Sequence, residues 1–110
     1  MRVLLQEVCS TVGGLEIVAM AGGEGEATLW LDDNAGGWDI AIVDLVLDQG
    51  SGIGVIAHAA QAPGRGRIAV FSNYATPGMA EHCRRLGADA VFEKSDTSAF
   101  IAWLHEQVNG

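Results

Sequence analysis

The sequence predicts an α/β domain in which a parallel β-sheet is covered by helices on both faces. Short apolar runs rich in β-branched residues, such as Ile40 to Val43 and Arg67 to Phe71, are typical of strands that are buried on both faces. Segments with apolar residues at helical spacing follow these runs, and this alternation indicates a parallel sheet. The chain has 110 residues, which is the length of one domain, and its 49% hydrophobic content is enough for an ordinary core.

The charge balance and the apolar pattern exclude several classes of function. Six basic residues against fourteen acidic ones give a formal net charge of −8, which opposes binding to nucleic acid or to anionic lipid. The apolar runs are too short and interrupted to predict a membrane span, and Met1-Arg2 leads into a strand rather than a signal peptide. Cys9 and Cys83 lack the spacing of a metal or redox motif, so we expect reduced thiols. These features predict a cytoplasmic protein.

The first half of the chain contains three predicted strands and one predicted helix. Arg2 to Leu5 and Leu15 to Ala21 are apolar runs that predict the first two strands. Glu24 to Leu31 has apolar residues in helical positions, with acidic residues at its amino end, where the helix dipole favours them. A polar, glycine-rich loop, residues 32–37, then leads into the central strand, Ile40 to Val43.

The segment after the central strand predicts a turn, a helix and another strand. Asp48 to Gly52 is rich in turn-forming residues, so the chain reverses there. Ile53 to Gln61 predicts a helix that ends at Pro63, and Arg67 to Phe71 predicts a strand that is closed by Ser72. The helical spacing assigns to one buried face the residues Ile53, Ile56, Ala57 and Ala60.

The last third of the chain repeats the same alternation. Thr76 and Pro77 fit the cap and the first position of a helix, and Gly87 fits its end. Asp89 to Phe92 predicts a brief strand, and Ser95 to Thr97 supplies capping side chains for a final helix. The residues of that helix expected to face inward are Phe100, Ile101, Leu104 and Val108.

Polar side chains follow three successive predicted strands at the point where each strand ends. These residues are Asp44, Ser72 and Lys94. Open α/β folds bind their ligands at the carboxyl edge of the sheet, where the ends of neighbouring parallel strands meet. A carboxylate at this edge can act as a nucleophile, and a hydroxyl and an ammonium group can hold the oxygens of an acyl phosphate. The three residues together therefore predict phosphoryl-transfer chemistry.

With these residues in place, the chain resembles the receiver domains of two-component response regulators, the CheY-like proteins. The resemblance implies a flavodoxin-like, doubly wound sheet of five parallel strands. The resemblance extends from Arg2 to about Val108. It implies that residues 1–110 are a single receiver-like domain with no output domain. The segments that carry it are RVLLQE (Arg2 to Glu7), IVDLVLDQGSG (Ile42 to Gly52), AVFSN (Ala69 to Asn73) and GADAVFEKS (Gly87 to Ser95).

The resemblance also implies a role for each matching residue. Asp44 falls on the phosphoacceptor, Ser72 on the switch hydroxyl, Phe92 on the rotating aromatic residue and Lys94 on the lysine of the family motif. In such domains a histidine kinase or a phosphotransfer protein donates the phosphoryl group, Mg²⁺ neutralises the developing charge, and a partner binds the changed surface. The implied function is phosphorelay signalling rather than enzymatic turnover of a substrate.

The chain departs from the family pattern at the predicted magnesium site. The family ends its first strand with two adjacent acids, whereas this chain has Glu7 followed by Val8. Valine cannot ligate a cation, so we expect Glu7 and Asp44 to bind Mg²⁺ weakly. Ser95 also stands where the family usually has a proline after the lysine.

A second departure is the absence of the first helix of the family. Only the eight residues Glu7 to Gly14 separate Gln6 from Leu15, whereas a crossover between parallel strands needs about a dozen or more. Either Gly13-Gly14 makes a hairpin and the first two strands run antiparallel, or the first strand is exchanged with a second copy of the chain. We favour the exchange. Under either topology the bared apolar sheet predicts a homodimer.

Three functions follow from the sequence. The first is a standalone receiver domain that accepts phosphate on Asp44, with weakened activity because of Val8. The second is a degenerate receiver that acts as a dimeric protein-interaction module without phosphorylation. The third is an unrelated small flavodoxin-like enzyme, for which the sequence offers no substrate site. The stretch Gly23-Glu24-Gly25 lacks the complete fingerprint of a dinucleotide loop, and the two glutamates Glu24 and Glu26 would repel a pyrophosphate.

Overall fold

The computed structural model of the chain describes residues 22–46 and 49–109. Within these ranges four helices alternate with three strands, as the apolar pattern predicts. In chain order, the elements are α1 (Glu24–Asp33), β1 (Ile40–Val43), α2 (Gly52–Ala60), β2 (Arg67–Ser72), α3 (Pro77–Leu86), β3 (Ala90–Glu93) and α4 (Thr97–Asn109).

The three described strands form one parallel sheet in the order β1-β2-β3. Val43 at the end of β1 pairs with Val70, and Ser72 at the end of β2 pairs with Glu93. The prediction of a parallel sheet is therefore confirmed for this part of the chain. Because all three strands run in the same direction, their carboxyl ends lie at one edge.

Strand β2 lies in the middle of the three strands and is buried on both faces. Ile68 and Val70 belong to a core cluster on one face, which they share with side chains of α2 and α3 such as Ile56 and Cys83. Ala69 and Phe71 point to the other face, because successive side chains of a strand alternate. Helices therefore cover both faces of the sheet, which is the doubly wound arrangement that the sequence predicts.

Helix α4 covers the second face through aromatic contacts. The ring of Phe100 stacks on that of Phe71, with the ring centroids 4.3 Å apart and the planes 11° from parallel. Phe100 and Leu104 are fully buried. Such a ring stack adds about 0.5 to 1.5 kcal/mol to the free energy from burial alone, so this pair fixes α4 against β2.

Side chains cap the helices where the sequence predicts caps. The hydroxyl of Thr76 accepts a hydrogen bond from the N–H of Met79 at the start of α3, and Pro77 is the first residue of that helix. At α4, the Asp96 carboxylate accepts from the N–H of Ala99. Ser51 also caps α2, by accepting from the N–H of Ile53, and this cap was not predicted from the sequence. Each cap satisfies an N–H group that has no partner within its own helix.

Several details differ from the sequence prediction. Strand β2 includes Ser72, which pairs with Glu93, and β3 runs from Ala90 to Glu93 rather than from Asp89 to Phe92. In α2 the buried side chains are Val55, Ile56 and Ala59, whereas Ala57 is only half-buried. This helix packs against α1 and α3 as well as the sheet, so its buried face is rotated from the one that the sequence spacing assigns.

The remaining fold predictions concern residues outside the described ranges. These are the strands Arg2 to Leu5 and Leu15 to Ala21, the missing first helix at residues 7–14, and the exchange of the first strand. The sheet is therefore described here as three strands, not the predicted five. Among the described residues, no helix combines the length and the apolar character needed to cross a membrane.

Candidate functional site

The side chains predicted to meet at the carboxyl edge of the sheet are in direct contact. Asp44 follows the last residue of β1, and its Oδ1 atom accepts a hydrogen bond of 2.8 Å from the hydroxyl of Ser72. Its Oδ2 atom lies 2.7 Å from the Nζ atom of Lys94, which follows β3. The predicted meeting of the three groups is thus confirmed as geometry. Their roles in phosphoryl transfer stay predictions.

Backbone groups hold the three side chains in place. The N–H of Val46 donates to Oδ1 of Asp44 at 3.2 Å, so this oxygen accepts two hydrogen bonds. The hydroxyl of Ser72 accepts one from the N–H of Tyr74 while it donates to Asp44. The N–H of Lys94 donates to the carbonyl of Ser72 at 3.1 Å, which ties the lysine to the end of β2. The carboxylate is thus held from the ends of two other strands and from the loop that follows its own strand.

The ion pair is largely shielded from solvent. The side chain of Asp44 is 15% exposed and that of Lys94 is 20% exposed, while Ser72 is completely buried. Partial burial alone would raise the pKa of Asp44. The hydrogen bonds from Lys94, Ser72 and Val46 and the lysine charge outweigh this effect and hold the pKa of Asp44 below its usual value. Asp44 is therefore an ionised carboxylate at neutral pH.

Phe92, the predicted rotating aromatic residue, lies on the α4 face of β3. Its ring is 5.6 Å from that of Phe100 and 6.1 Å from that of Trp103, both tilted by nearly 60°. The side chain is half-buried. Phe92 precedes Lys94 by two residues and contacts the final helix through these two rings. Its role as a switch stays a prediction.

The described residues by themselves do not form a metal centre. Glu7 and Val8 lie outside the described ranges. Among residues 22–46 and 49–109, no three acidic, histidine or cysteine side chains come together, and Asp44 is the lone carboxylate at this edge contact. Both of its oxygens already accept hydrogen bonds, and Mg²⁺ requires several oxygen ligands. The described residues therefore supply one carboxylate at this edge, Asp44, and the other expected ligand, Glu7, lies outside the described ranges.

Glu24 is a residue near this site that sequence reasoning missed. Its carboxylate accepts a hydrogen bond of 2.8 Å from the N–H of Ser51, which lies 27 positions further along the chain. Ser51 ends the loop that follows Asp44 and caps α2. The glycines on either side of Glu24 are typical of a nucleotide-binding loop. The described contacts of Glu24, however, are with Gln49 and Ser51 in the loop that follows Asp44. The sequence signal for this contact was the set of glycines at positions 50, 52 and 54, which allow other groups to approach the backbone closely.

A second concave feature lies at the opposite edge of the sheet. It is a cleft of about 430 Å³ at the amino-terminal ends of the strands. Arg65 and Asp89 on its wall form an ion pair at 3.3 Å. The cleft is far from Asp44 because the two edges of a parallel sheet face opposite ends of the domain. Its lining consists of Gly36, Trp38, Asp39, Gly64, Arg65, Gly66, Arg67 and Asp89.

The lowered pKa of Asp44 predicts a specific dependence of stability on pH. The ionised group contributes stability that is complete above its unfolded pKa, about 3.9, and is lost as the pH falls through the lower folded value. Asp44→Asn removes this titration. The difference in free energy of unfolding between the wild type and Asp44→Asn should therefore be constant from about pH 7 to 5 and shrink below about pH 4. Urea unfolding at a series of pH values measures it, and a difference that stays constant down to pH 3 would contradict it.

Solved structures with the same fold are response regulators. A chain of the CheX-CheY-BeF₃-Mg²⁺ complex from Borrelia burgdorferi is similar over 96% of this chain and 78% of its own length, with a TM-score of 0.84 and 17% identity. The response regulator domain of CheB from Thermotoga maritima has a TM-score of 0.80 and 17% identity, over 99% of this chain and 85% of that one.

A third similar structure contains a modified aspartate. It is a response regulator protein from Burkholderia pseudomallei with a phosphorylated aspartic acid, a calcium ion and citrate. Its TM-score is 0.73 at 24% identity, over 98% of this chain and 64% of that one. No protein-family model matches the chain, and no curated protein matches it. The similarity to these solved structures shows that the chain has the CheY-like fold of response regulator receiver domains.

Proposed function

We propose that residues 1–110 form a receiver domain of a two-component phosphorelay and that Asp44 accepts the phosphoryl group. One observation carries this proposal. A single ionised carboxylate at the carboxyl edge of the sheet is held between the hydroxyl of Ser72 and the ammonium group of Lys94. The fold supports it, and a similar structure from Burkholderia pseudomallei contains a phosphorylated aspartic acid.

The proposed reaction is the transfer of one phosphoryl group to a carboxylate oxygen of Asp44. A bond forms between that oxygen and phosphorus, while the bond from phosphorus to the donor atom breaks and its electron pair stays with the donor. With acetyl phosphate the leaving group is acetate. With a histidine kinase or a phosphotransfer protein it is the ring nitrogen of a phosphohistidine.

Lys94 and Ser72 suit the charge that this transfer creates. Negative charge spreads over the phosphoryl oxygens in the transition state, and nearby donors that are already oriented stabilise it. The ammonium group of Lys94 lies within 2.7 Å of the carboxylate and can follow the phosphoryl oxygens without leaving the site. The Ser72 hydroxyl can change its acceptor from the carboxylate to a phosphoryl oxygen.

Release of Ser72 from Asp44 is the proposed first step of signalling. The next residue inward on β2 is Phe71, whose ring stacks on Phe100 of α4. Phe92 on β3 contacts the same helix. A shift of the hydroxyl therefore acts on two strands that both pack against α4. We assign the surface formed by β3 and α4 as the one that a partner reads after phosphorylation.

The proposal also includes a homodimer, with exchange of the first strand as the favoured arrangement. Ile40 and Ile42 lie on β1, at one end of the three described strands and on the face that α4 covers, and both side chains are only half-buried. A second copy of the chain that packs there would remove this apolar surface from water, at about 25 cal/mol per Å².

Phosphorylation by a small donor tests the proposed function. Incubation with acetyl phosphate and Mg²⁺ should add the mass of one phosphoryl group to the intact protein, and Asp44→Asn should abolish the increment. Asp39→Asn is the matched control, because Asp39 is an exposed aspartate at the opposite edge of the sheet. Lys94→Ala should reduce the rate by about 100-fold, the effect of losing one oriented donor.

The same experiment separates the receiver from the interaction module. A wild-type protein that takes up no phosphoryl group at any Mg²⁺ concentration would contradict the phosphoacceptor role. It would favour the degenerate receiver, which needs no acyl phosphate. An increment that persists in Asp44→Asn would place the modification on another residue and would equally contradict the assignment.

The replacement of an acid by Val8 predicts a weak dependence on magnesium. Val8→Asp restores a carboxylate, so the Mg²⁺ concentration that gives half the maximal phosphorylation rate should fall by about tenfold or more. Val8→Leu is the control, since it changes size but adds no ligand, and its Mg²⁺ requirement should match the wild type. Equal requirements in all three proteins would show that residue 8 takes no part in binding the cation.

The dimer is tested by mass in solution. Light scattering at micromolar concentration should give about twice the chain mass of 11.5 kDa. The mass should be independent of phosphorylation, because the exposed apolar surface is present in both states. A monomer under these conditions would contradict the dimer while leaving the phosphoacceptor role intact.

A further inference from the structure

The loop that follows Asp44 is attached to helix α1 through Glu24. The Oε1 atom of Glu24 accepts a hydrogen bond of 2.8 Å from the N–H of Ser51, and this contact is partly buried. The N–H of Glu24 donates to the carbonyl of Gln49, also at 2.8 Å. Gly23 forms an isolated parallel bridge with Gln49. The amino end of α1 therefore contacts the end of the loop at two successive places.

Two glycines leave the space that the Glu24 side chain occupies. A Cβ atom at Gly50 would lie 2.5 Å from the Cβ of Glu24. A Cβ atom at Gly54 would overlap the Glu24 carboxylate. Gly50 also has a φ of 78°, which side chains rarely adopt. The loop and the first turn of α2 are thus shaped around one carboxylate from another helix.

The position of the carboxylate corresponds to one half of a capping box. In a capping box the N-cap side chain bonds to the third residue of the helix, and a glutamate at that third residue reaches back to the N–H of the N-cap. Here Ser51 is the N-cap of α2 and the third helical residue is Gly54, which has no side chain. Glu24 supplies the missing carboxylate from α1, where it also faces the positive end of the α2 dipole.

The loop between Ser51 and Asp44 transmits this contact to the site. Val46 and Ser51 form an isolated antiparallel bridge, and the N–H of Gly52 donates to the carbonyl of Leu45 at 3.2 Å. A Cβ atom at Gly52 would overlap the carbonyl oxygen of Asp44, so the start of α2 lies directly against the backbone of Asp44. Val46 in turn donates its N–H to the Asp44 carboxylate.

We infer that Glu24 is a positioning residue for Asp44, because its carboxylate holds the loop whose Val46 N–H orients the phosphoacceptor. This inference rests on the proposed function for its effect on phosphorylation. The claim that Glu24 keeps the loop ordered does not depend on that function. Loss of the Glu24 acceptor leaves the N–H of Ser51 without its partner. It thereby weakens the contact between Ser51 and Val46, the residue that donates to Asp44.

A matched pair of substitutions isolates the hydrogen bond from the charge. Glu24→Ala and Glu24→Gln remove the same charge, but glutamine keeps an oxygen that can accept from Ser51. Amide hydrogen exchange at Ser51 and at Val46 should quicken by about fivefold or more in Glu24→Ala relative to Glu24→Gln. The phosphorylation rate with acetyl phosphate should fall by at least about fivefold in the same comparison. Asp33→Ala, which removes an exposed acid from the other end of the same helix, should leave exchange at both amides as in the wild type.

A rescue variant keeps the test decisive if Glu24→Ala disturbs folding. Gly54→Glu in the Glu24→Ala background places a glutamate at the third helical position, from which it can reach back to Ser51 into the vacated space. The double variant should recover the protection of Ser51 and Val46 and the phosphorylation rate. Gly54→Glu alone should destabilise the protein, because its side chain meets Glu24. If Gly54→Glu is favourable in the Glu24→Ala background and unfavourable in the wild type, positions 24 and 54 are directly coupled.

Two results would overturn the inference. If Ser51 loses protection in Glu24→Ala while Val46 and the phosphorylation rate stay unchanged, Glu24 is only a helix cap. If Glu24→Gln and Glu24→Ala behave alike at Val46, the hydrogen bond has no positioning role. A wild type that takes up no phosphate would contradict the proposed function, and exchange at Val46 would still decide the role of Glu24.

Discussion

The arrangement of the site depends on the pairing of Asp44 with Lys94. A carboxylate that is 15% exposed at the end of a buried strand loses most of its hydration, and that loss must be offset by nearby donors. The lysine that supplies the opposite charge lies 50 positions away in the sequence. The parallel register of the three strands brings the two groups together. A shift of β3 against β2 would separate them and leave two shielded charges without an opposite charge nearby.

Parts of the site differ in how firmly they are held. Ser72 and Lys94 project from the ends of strands that are backed by the stacked rings of Phe71 and Phe100. Asp44, by contrast, has a carboxylate that is oriented by hydrogen bonds from Val46, Ser72 and Lys94, while Leu45 beside it is buried in the core. The backbone next to Asp44 is therefore fixed by packing, and the direction of its carboxylate is fixed by a small network of hydrogen bonds. This division suits a group that must change its bonding when a phosphoryl group arrives while its partners stay in register.

The strand ends could be predicted from the sequence because their signal is local. Apolar runs mark β1 and β2, and an ionisable residue directly after such a run cannot lie inside the sheet, which places Asp44 at the edge. Thr76 and Pro77 likewise identify a helix start by chemistry within two residues. The three similar structures described above share 17 to 24% identity with this chain, so a few positions carry the resemblance rather than overall similarity.

The contacts that escaped prediction depend on tertiary packing. The rotated buried face of α2 follows from its position between the sheet, α1 and α3, which the spacing of Ala57 and its neighbours does not encode. The bond from Ser51 to Glu24 joins residues 27 positions apart. A glycine-flanked glutamate has many uses in proteins, so its sequence could not specify this one.

The space shared by Glu24 and Gly54 has a consequence for how this chain can evolve. A side chain at position 54 and a carboxylate at position 24 exclude one another, since both would fill one volume beside Ser51. A side chain gained at position 54 alone would clash with Glu24, and loss of Glu24 alone would leave the N–H of Ser51 without its acceptor. Relatives of this chain should therefore change the two sites in concert, with an acid on one helix or on the other but not on both.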